Sequence, residues 1–251
     1  MKYYIAMRVF DKRNSGGTNY LHKTIGSMMR SGLFDSSDFE LHLFDGGSKS
    51  MDYLNPYFGL RNTHVHKVDG KITNNENWLR SVDYAERLDC DHILCVEDDI
   101  LVCDRWIESI KKFVMNNNHL IDTNPMVSFY APYSEIKQRT ENRDKHWKYP
   151  YRKFYGTQCV MFRKLVGLEC SRHIRNAIEN MDQYNFNFRE RCAANGMKSR
   201  SIDLWLQEWG INEFPKQTFV ASCPSYVQHI GRKGENHLHQ SHFLGEDWSY
   251  N

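Results

Sequence analysis

The 251-residue sequence has no long hydrophobic segment and no paired-cysteine motif. No uninterrupted apolar run approaches the roughly 20 residues that a membrane-spanning helix needs. The 7 cysteines include no C-x-x-C pair, and no N-x-S/T glycosylation sequon occurs. The opening segment MKYYIAMRVFDKR becomes charged too early for a signal peptide. These absences predict free thiols in a reducing compartment and a cytoplasmic protein without a membrane partner.

The chain also lacks a strong charge of either sign, since its formal net charge is only +2. A general role on nucleic acid or membranes therefore cannot be argued from the total charge. Hydrophobic residues make up 40% of the chain, which predicts a folded protein with a substantial core. We find no internal repeat and no low-complexity tract.

Strand and helix patterns alternate in the first half of the chain. This β-α-β order predicts an α/β fold with a mostly parallel sheet covered by helices on both faces. The predicted strands are Tyr3–Val9, Phe39–Phe44, Thr63–Val68, His92–Val102 and the segment PMVSFYAP, and the predicted helices are Thr18–Arg30, Asn75–Leu88 and one beginning at an Asp104 N-cap.

The second half is less regular. Residues 134–153 are polar and are predicted to form a long loop, and Gly210 is predicted to end a short helix that begins at Ser201. The other predictions are a strand over Phe154–Phe162, a helix over Leu165–Met181 and a strand in TFVASCPSYVQHIG.

The segment HILCVEDDILVCDRW places three acidic residues, Glu97, Asp98 and Asp99, between two apolar runs. Charged groups beside a core are costly unless they are paired or bound to a metal, so we expect them at a strand end. Carboxylates one residue apart on an extended chain point the same way and suit Mn²⁺ or Mg²⁺. The alternative is a solvated acidic turn. Ligands of such sheets bind at the carboxyl ends of the strands, where Asp45 also falls.

LCVEDDILV resembles the D-x-D region of GT-A-fold glycosyltransferases, where the motif occurs as E-D-D after a hydrophobic strand. SIDLWLQEWG and CPSYVQHIG, which follow it, resemble segments of the inverting N-acetylglucosaminyltransferases that branch N-glycans. The resemblance covers most of residues 1–232. It implies one GT-A (Rossmann-like) domain over residues 1–251, with a nucleotide-sugar-binding half (1–103) and a less regular acceptor-binding and catalytic half (104–251).

The resemblance also implies roles for individual residues. Asp99 and His229 would bind the metal, and Asp203 would be the general base. The residues expected around the nucleotide sugar, a UDP-sugar by resemblance, are Arg8 at a phosphate, Asp45 at the nucleoside, and Glu97 and Asp98 at the ribose or metal-bound water. Three of these residues have a structural alternative of their own. Asp203 would be a helix N-cap, His229 a packed strand-end histidine, and Arg8 a structural cation.

The acceptor is predicted only as a hydroxyl compound. Residues 137–153 hold 7 Lys/Arg against 2 acids, with Trp147, Tyr149 and Tyr151 between them. This pattern suits nucleic acid, for example a hydroxymethylated DNA base, but equally a loop that closes over donor or acceptor. A glycan precursor is the other acceptor class. Trp205 and Trp209 are predicted to be core residues, and His237, His239 and His242 a solvated tail.

Two other functional classes remain open from the sequence. One is a nucleotidyltransferase or another metal-dependent nucleotide-sugar enzyme, for which DKRNSGGTN would be the basic glycine-containing loop. The other is a non-catalytic module that binds a divalent cation through the acidic cluster. Release of pyrophosphate would identify the first, and insensitivity to Asp203→Asn would identify the second.

Overall fold

The structure is a computed structural model that describes residues 1–11, 20–130, 146–154, 156–180, 201–223 and 225–230. Most of DKRNSGGTN, the start of the helix predicted from Thr18, residues 137–145 of the basic segment, and the histidines His237, His239 and His242 lie outside the described residues.

The first half follows the predicted alternation closely. Thr73 caps the second helix by accepting the backbone N–H of Glu76 at 3.1 Å. Arg105 rather than the predicted Asp104 occupies the N-cap position of the third helix, whose buried residues are Trp106, Ile107, Ile110, Phe113 and Val114. The elements are β1 (Tyr3–Val9), α1 (Leu21–Arg30), β2 (Phe39–Asp45), β3 (Thr63–His66), α2 (Asn74–Asp83), β4 (His92–Glu97), β5 (Ile100–Val102), α3 (Trp106–Asn116) and α4 (Asn118–Thr123).

The second half corrects several boundaries. The strand predicted in PMVSFYAP is reduced to Val127–Ser128, and part of the predicted long loop is a strand, His146–Tyr149. The predicted strand over Phe154–Phe162 begins only at Cys159. The elements are β6 (Val127–Ser128), β7 (His146–Tyr149), β8 (Cys159–Arg163), α5 (Lys164–Glu179), α6 (Ile202–Glu213), β9 (Phe219–Ser222) and β10 (Val227–His229).

Gly210 does not end α6, which continues to Glu213. A Cβ atom at Gly210 would lie 2.7 Å from ring atoms of Tyr151. The glycine therefore permits close packing of the helix against that ring, a role that depends on a residue distant in sequence.

One large sheet runs through both halves, in the order β3-β2-β1-β4-β8-β6-β9-β7. Strands β1 to β4 are parallel to one another, and β6 and β9 run in the same direction. Strands β8 and β7 run the opposite way. The sheet is therefore mostly parallel, as predicted, with apolar clusters packed on both faces. The carboxyl ends of β1, β2 and β4 meet at one edge.

Candidate active site

The acidic turn lies between β4 and β5, at the carboxyl edge of the sheet. Glu97 ends β4, and Asp98 and Asp99 form the turn that leads into Ile100. The buried hydroxyl of Thr24, on α1, donates 2.8 Å to the backbone oxygen of Asp98 and lies 2.7 Å from that of Ile100. Helix α1 therefore holds the backbone of the acidic turn.

A two-stranded antiparallel ribbon brings His229 to this turn. Strand β10 pairs with β5 so that His229 lies opposite Ile100. The backbone N–H of Ile230 donates to the backbone oxygen of Asp99 at 2.9 Å. His229 Nε2 lies 3.3 Å from Asp99 Oδ2. One ligand atom from each of Glu97, Asp99 and His229 lies within 4.8 Å of the others. The two predicted metal ligands are thus brought together, with Glu97 as a third.

The donor set of this trio fits a divalent cation. Two carboxylates supply hard oxygen ligands, and a neutral imidazole is acceptable to Mn²⁺ and other borderline ions. All three side chains are only partly buried, so a bound cation would keep positions open to a second ligand.

Arg8 orients Glu97. Its side chain is 6% exposed. One terminal guanidinium nitrogen donates to Glu97 Oε1 at 2.9 Å, and the second terminal nitrogen donates to Asn74 Oδ1 at 2.9 Å. The Thr157 hydroxyl donates to the same Oε1 at 2.8 Å. A carboxylate that accepts two donors from buried groups is fixed in position. Arg8 is thus an ion-pair partner of Glu97, and its contact with a donor phosphate stays a prediction.

Asp203 lies beside this network. It is in the first turn of α6, where Ser201 takes the N-cap position, and its Oδ1 accepts the backbone N–H of Gly156 at 3.0 Å. Burial raises the pKa of Asp203 to about 6, and the charge of Glu97 adds to the rise, while the Gly156 N–H and Arg8 oppose it. The predicted base and the predicted metal site therefore interact electrostatically, although they lie far apart in the sequence.

The donor to Asp203 requires a glycine. Gly156 has φ +106°, and a Cβ atom there would lie 2.2 Å from Gln158 Oε1 and 2.7 Å from the Tyr130 ring. The backbone can therefore reach Asp203 only without a side chain at this position.

Asp45 is buried and satisfied by its own loop. Its Oδ2 accepts the backbone N–H groups of Gly47 and Ser48, both at 2.9 Å, and its Oδ1 accepts the Tyr53 hydroxyl at 2.6 Å. Burial, followed by the Asp45 hydrogen bond and nearby carboxylates that include Asp98, raises the pKa of the Tyr53 phenol. In this structure Asp45 organises the loop after β2, and Asp98 lies within electrostatic reach of the same loop. Contact of either with a nucleoside stays a prediction.

The rings of the basic segment are not available for stacking on bases. Trp147, Tyr149 and Tyr151 are buried, at 6%, 0% and 7% exposure. The alternation of cations and aromatic residues reflects an edge strand with an inward apolar face. The sequence argument for nucleic-acid stacking is therefore wrong for these rings. Trp205 and Trp209 are buried core residues, as predicted.

Sequence reasoning missed Thr24, Asn74, Gly156 and Thr157 as parts of the site. Each acts on Asp98, Arg8, Asp203 or Glu97 from an element distant in the sequence. The local signal is the glycine in FYGTQ, which begins the buried run of residues 156–162. Asn77 and Arg80 on α2 hold the end of β2, since Asn77 donates to the backbone oxygen of Phe44 and Arg80 to that of Asp45.

Comparison with known proteins gives a structural likeness only. No protein-family model matches the chain, and no curated protein matches it in sequence. The crystal structure of residues 1–349 of S. aureus TarS matches with a TM-score of 0.55 and 10% identity, covering 90% of this chain and 60% of that one. Its complex with UDP-GlcNAc gives a TM-score of 0.59 and 11% identity over 94% and 60%. Its complex with UDP gives 0.55 and 11% over 90% and 60%.

At these identities the likeness shows the fold, a GT-A-like mixed α/β architecture. It supports the predicted glycosyltransferase fold without extending to the N-glycan branching enzymes. The chain spans about 60% of the length of the matched chains. Within the described residues, no helix is both long and apolar enough to cross a membrane.

Proposed function

We propose that this chain is a metal-dependent glycosyltransferase that moves a sugar from a UDP-sugar to a hydroxyl acceptor with inversion. The observation that carries the proposal is the convergence of Glu97, Asp99 and His229 at the carboxyl edge of the sheet, in electrostatic contact with Asp203. The TarS structures with UDP and UDP-GlcNAc, which share the fold, support the choice of donor.

The metal trio would face the donor diphosphate. Bound by Glu97, Asp99 and His229, Mn²⁺ or Mg²⁺ would stabilise the negative charge that develops on the departing diphosphate. Arg8 and Thr157 keep the Glu97 carboxylate in place and limit its movement when charge in the site changes. Asp98 and the Asp45 loop are proposed to line the nucleoside side of the donor.

Asp203 would take the proton from the acceptor hydroxyl. One of its oxygens is held by Gly156, and a base with a pKa of about 6 is ionised at neutral pH yet more basic than an ordinary aspartate. A single base without a protein nucleophile gives inversion at the anomeric carbon, since the acceptor must attack opposite the departing diphosphate.

We propose a glycan hydroxyl as acceptor. The burial of Trp147, Tyr149 and Tyr151 removes the stacking surface on which the nucleic-acid alternative depended. A hydroxymethylated DNA base is therefore the comparison substrate in an acceptor assay rather than the preferred one.

We also propose that the chain is a single functional domain in a reducing compartment such as the cytoplasm. Strands from residues 1–103 and from 104–251 share one sheet, which supports a single domain with a donor half and an acceptor half. Among the described cysteines, Cys90, Cys95, Cys159 and Cys170 are free thiols. Burial raises the pKa of the Cys95 thiol to about 12, which fits an inert core residue.

The deciding experiment is donor turnover with a panel of nucleotide sugars and Mn²⁺ or Mg²⁺. We expect UDP release and a metal-dependent rise in melting temperature with a UDP-sugar, both abolished by a chelator and by Asp99→Asn. Pyrophosphate as product would instead establish a nucleotidyltransferase. Metal binding with no donor that stabilises the protein would leave a cation-binding module and overturn the proposal.

A further inference from the structure

A second cluster of metal-ligating side chains lies on the outer strands of the sheet. His42 on β2 pairs in register with His64 on β3, and Glu40 stands two residues before His42 on the same face of β2. One ligand atom from each of the three lies within 4.8 Å of the others. Glu40 and His64 are exposed, whereas His42 is 2% exposed.

The His42 ring is held in an orientation typical of a metal ligand. Its Nδ1 lies 2.9 Å from Nε2 of His66, the next inward residue of β3. This contact fixes the plane of the His42 ring and leaves its second nitrogen, Nε2, for another partner.

His42 Nε2 is a buried polar atom without a hydrogen-bond partner among the described residues. It points into the cluster, 3.6 Å from Glu40 Oε2. A buried nitrogen without a hydrogen-bond partner is unfavourable by itself. A cation between this nitrogen and the Glu40 carboxylate would bind both.

We propose that Glu40, His42 and His64 form a binding site for a Zn²⁺-type cation, separate from the Glu97–Asp99–His229 site. Two imidazoles and one carboxylate form the three-ligand set that Zn²⁺ accepts with a fourth position left to water. Mg²⁺ favours oxygen ligands and would not select this site. The ion links the edge strand β3 to β2, so its role is to stabilise the pairing of these two strands at the edge of the sheet.

The test titrates Co²⁺ alone, a visible probe for Zn²⁺, into the Asp99→Asn protein, where the other site is impaired. We expect one equivalent to bind with the strong visible absorption of a tetrahedral complex and to be displaced by Zn²⁺. His64→Gln and Glu40→Gln in that background replace exposed side chains, so folding is preserved, and each weakens binding by at least about tenfold. His119→Gln and Glu86→Gln, also at exposed positions, leave binding unchanged.

A second measurement follows the melting temperature of the same Asp99→Asn protein. Zn²⁺ raises it, and His64→Gln removes the rise. Binding that is equal in His64→Gln and the control, or absence of the tetrahedral absorption, would show that Glu40, His42 and His64 do not form a cation site. Either result overturns this site without touching the donor-turnover assay of the proposed function.

Discussion

The two clusters of acids and histidines are built differently. Glu97, Asp99 and His229 come from segments far apart in the chain, and buried Arg8 and Thr157 hold Glu97. Glu40, His42 and His64 come from two adjacent strands, and His42 forms a hydrogen bond with His66. The first cluster has two charged neighbours, Arg8 and Asp203, that interact electrostatically with Glu97. The second is a local arrangement on a rigid sheet, suited to a static ion.

Removal of the proposed base should have the largest effect and should leave the histidine cluster unaffected. Asp203→Asn keeps the shape and an acceptor for the Gly156 N–H, but cannot take a proton. We expect kcat to fall by about 10²- to 10⁴-fold with donor affinity retained. Steady-state kinetics and donor binding by calorimetry measure the two quantities.

The matched control is Asp35→Asn, an exposed aspartate on the short helix Leu33–Asp35. Equal turnover for Asp203→Asn and Asp35→Asn would show that another group accepts the proton.

Gly156→Ala should destabilise the active-site side of the sheet. The added Cβ meets Gln158 and Tyr130 and must adopt φ +106°, so we expect a loss of about 2–4 kcal/mol in the free energy of unfolding. Gly59→Ala is the control, because Gly59 has φ +89° with nothing within 4 Å and isolates the backbone strain, about 1 kcal/mol. Chemical denaturation compares them, and equal losses would mean that the close contacts relax freely.

Asp203→Asn should also change stability in a pH-dependent way. The folded pKa of about 6 lies above the ordinary value of 3.8, so ionisation of Asp203 costs stability as pH rises through 6. Below about pH 4 the carboxyl is protonated in both states and the cost is absent. The variant should therefore be more stable than the parent by up to about 3 kcal/mol near pH 7.5 and equal near pH 4. Denaturation at both pH values tests the sign, and a gain that persists at pH 4 would contradict it.

Loss of one donor to Glu97 should give the smallest effect. Thr157→Val removes the 2.8 Å hydrogen bond and should lower kcat/KM by about 3- to 10-fold, equivalent to one hydrogen bond of about 1 kcal/mol. Thr157→Ser keeps the hydroxyl and should retain activity. If Thr157→Val matches the parent, Arg8 alone positions Glu97.

The elements that the sequence predicted well are those whose signal is local. The apolar runs around Glu97 and Asp99 indicated a strand end, and the structure places them there. Gly210 and the segment around Trp147 were misjudged because their roles depend on the Tyr151 ring and on β9 as a pairing partner. No local sequence pattern identifies Thr24 or Thr157. Each takes part in the site only through a hydrogen bond to a group distant in sequence, the Asp98 backbone oxygen or the Glu97 carboxylate.

The β5–β10 ribbon has a consequence for how the protein is made. Glu97 and Asp99 leave the ribosome about half a chain before His229. The antiparallel pairing that delivers the imidazole can form only after the segment Val227–His229 has been synthesised. A nascent chain that has folded its parallel strands therefore lacks the imidazole at the acidic turn, and the three-residue cluster is complete only after residue 229 has been synthesised.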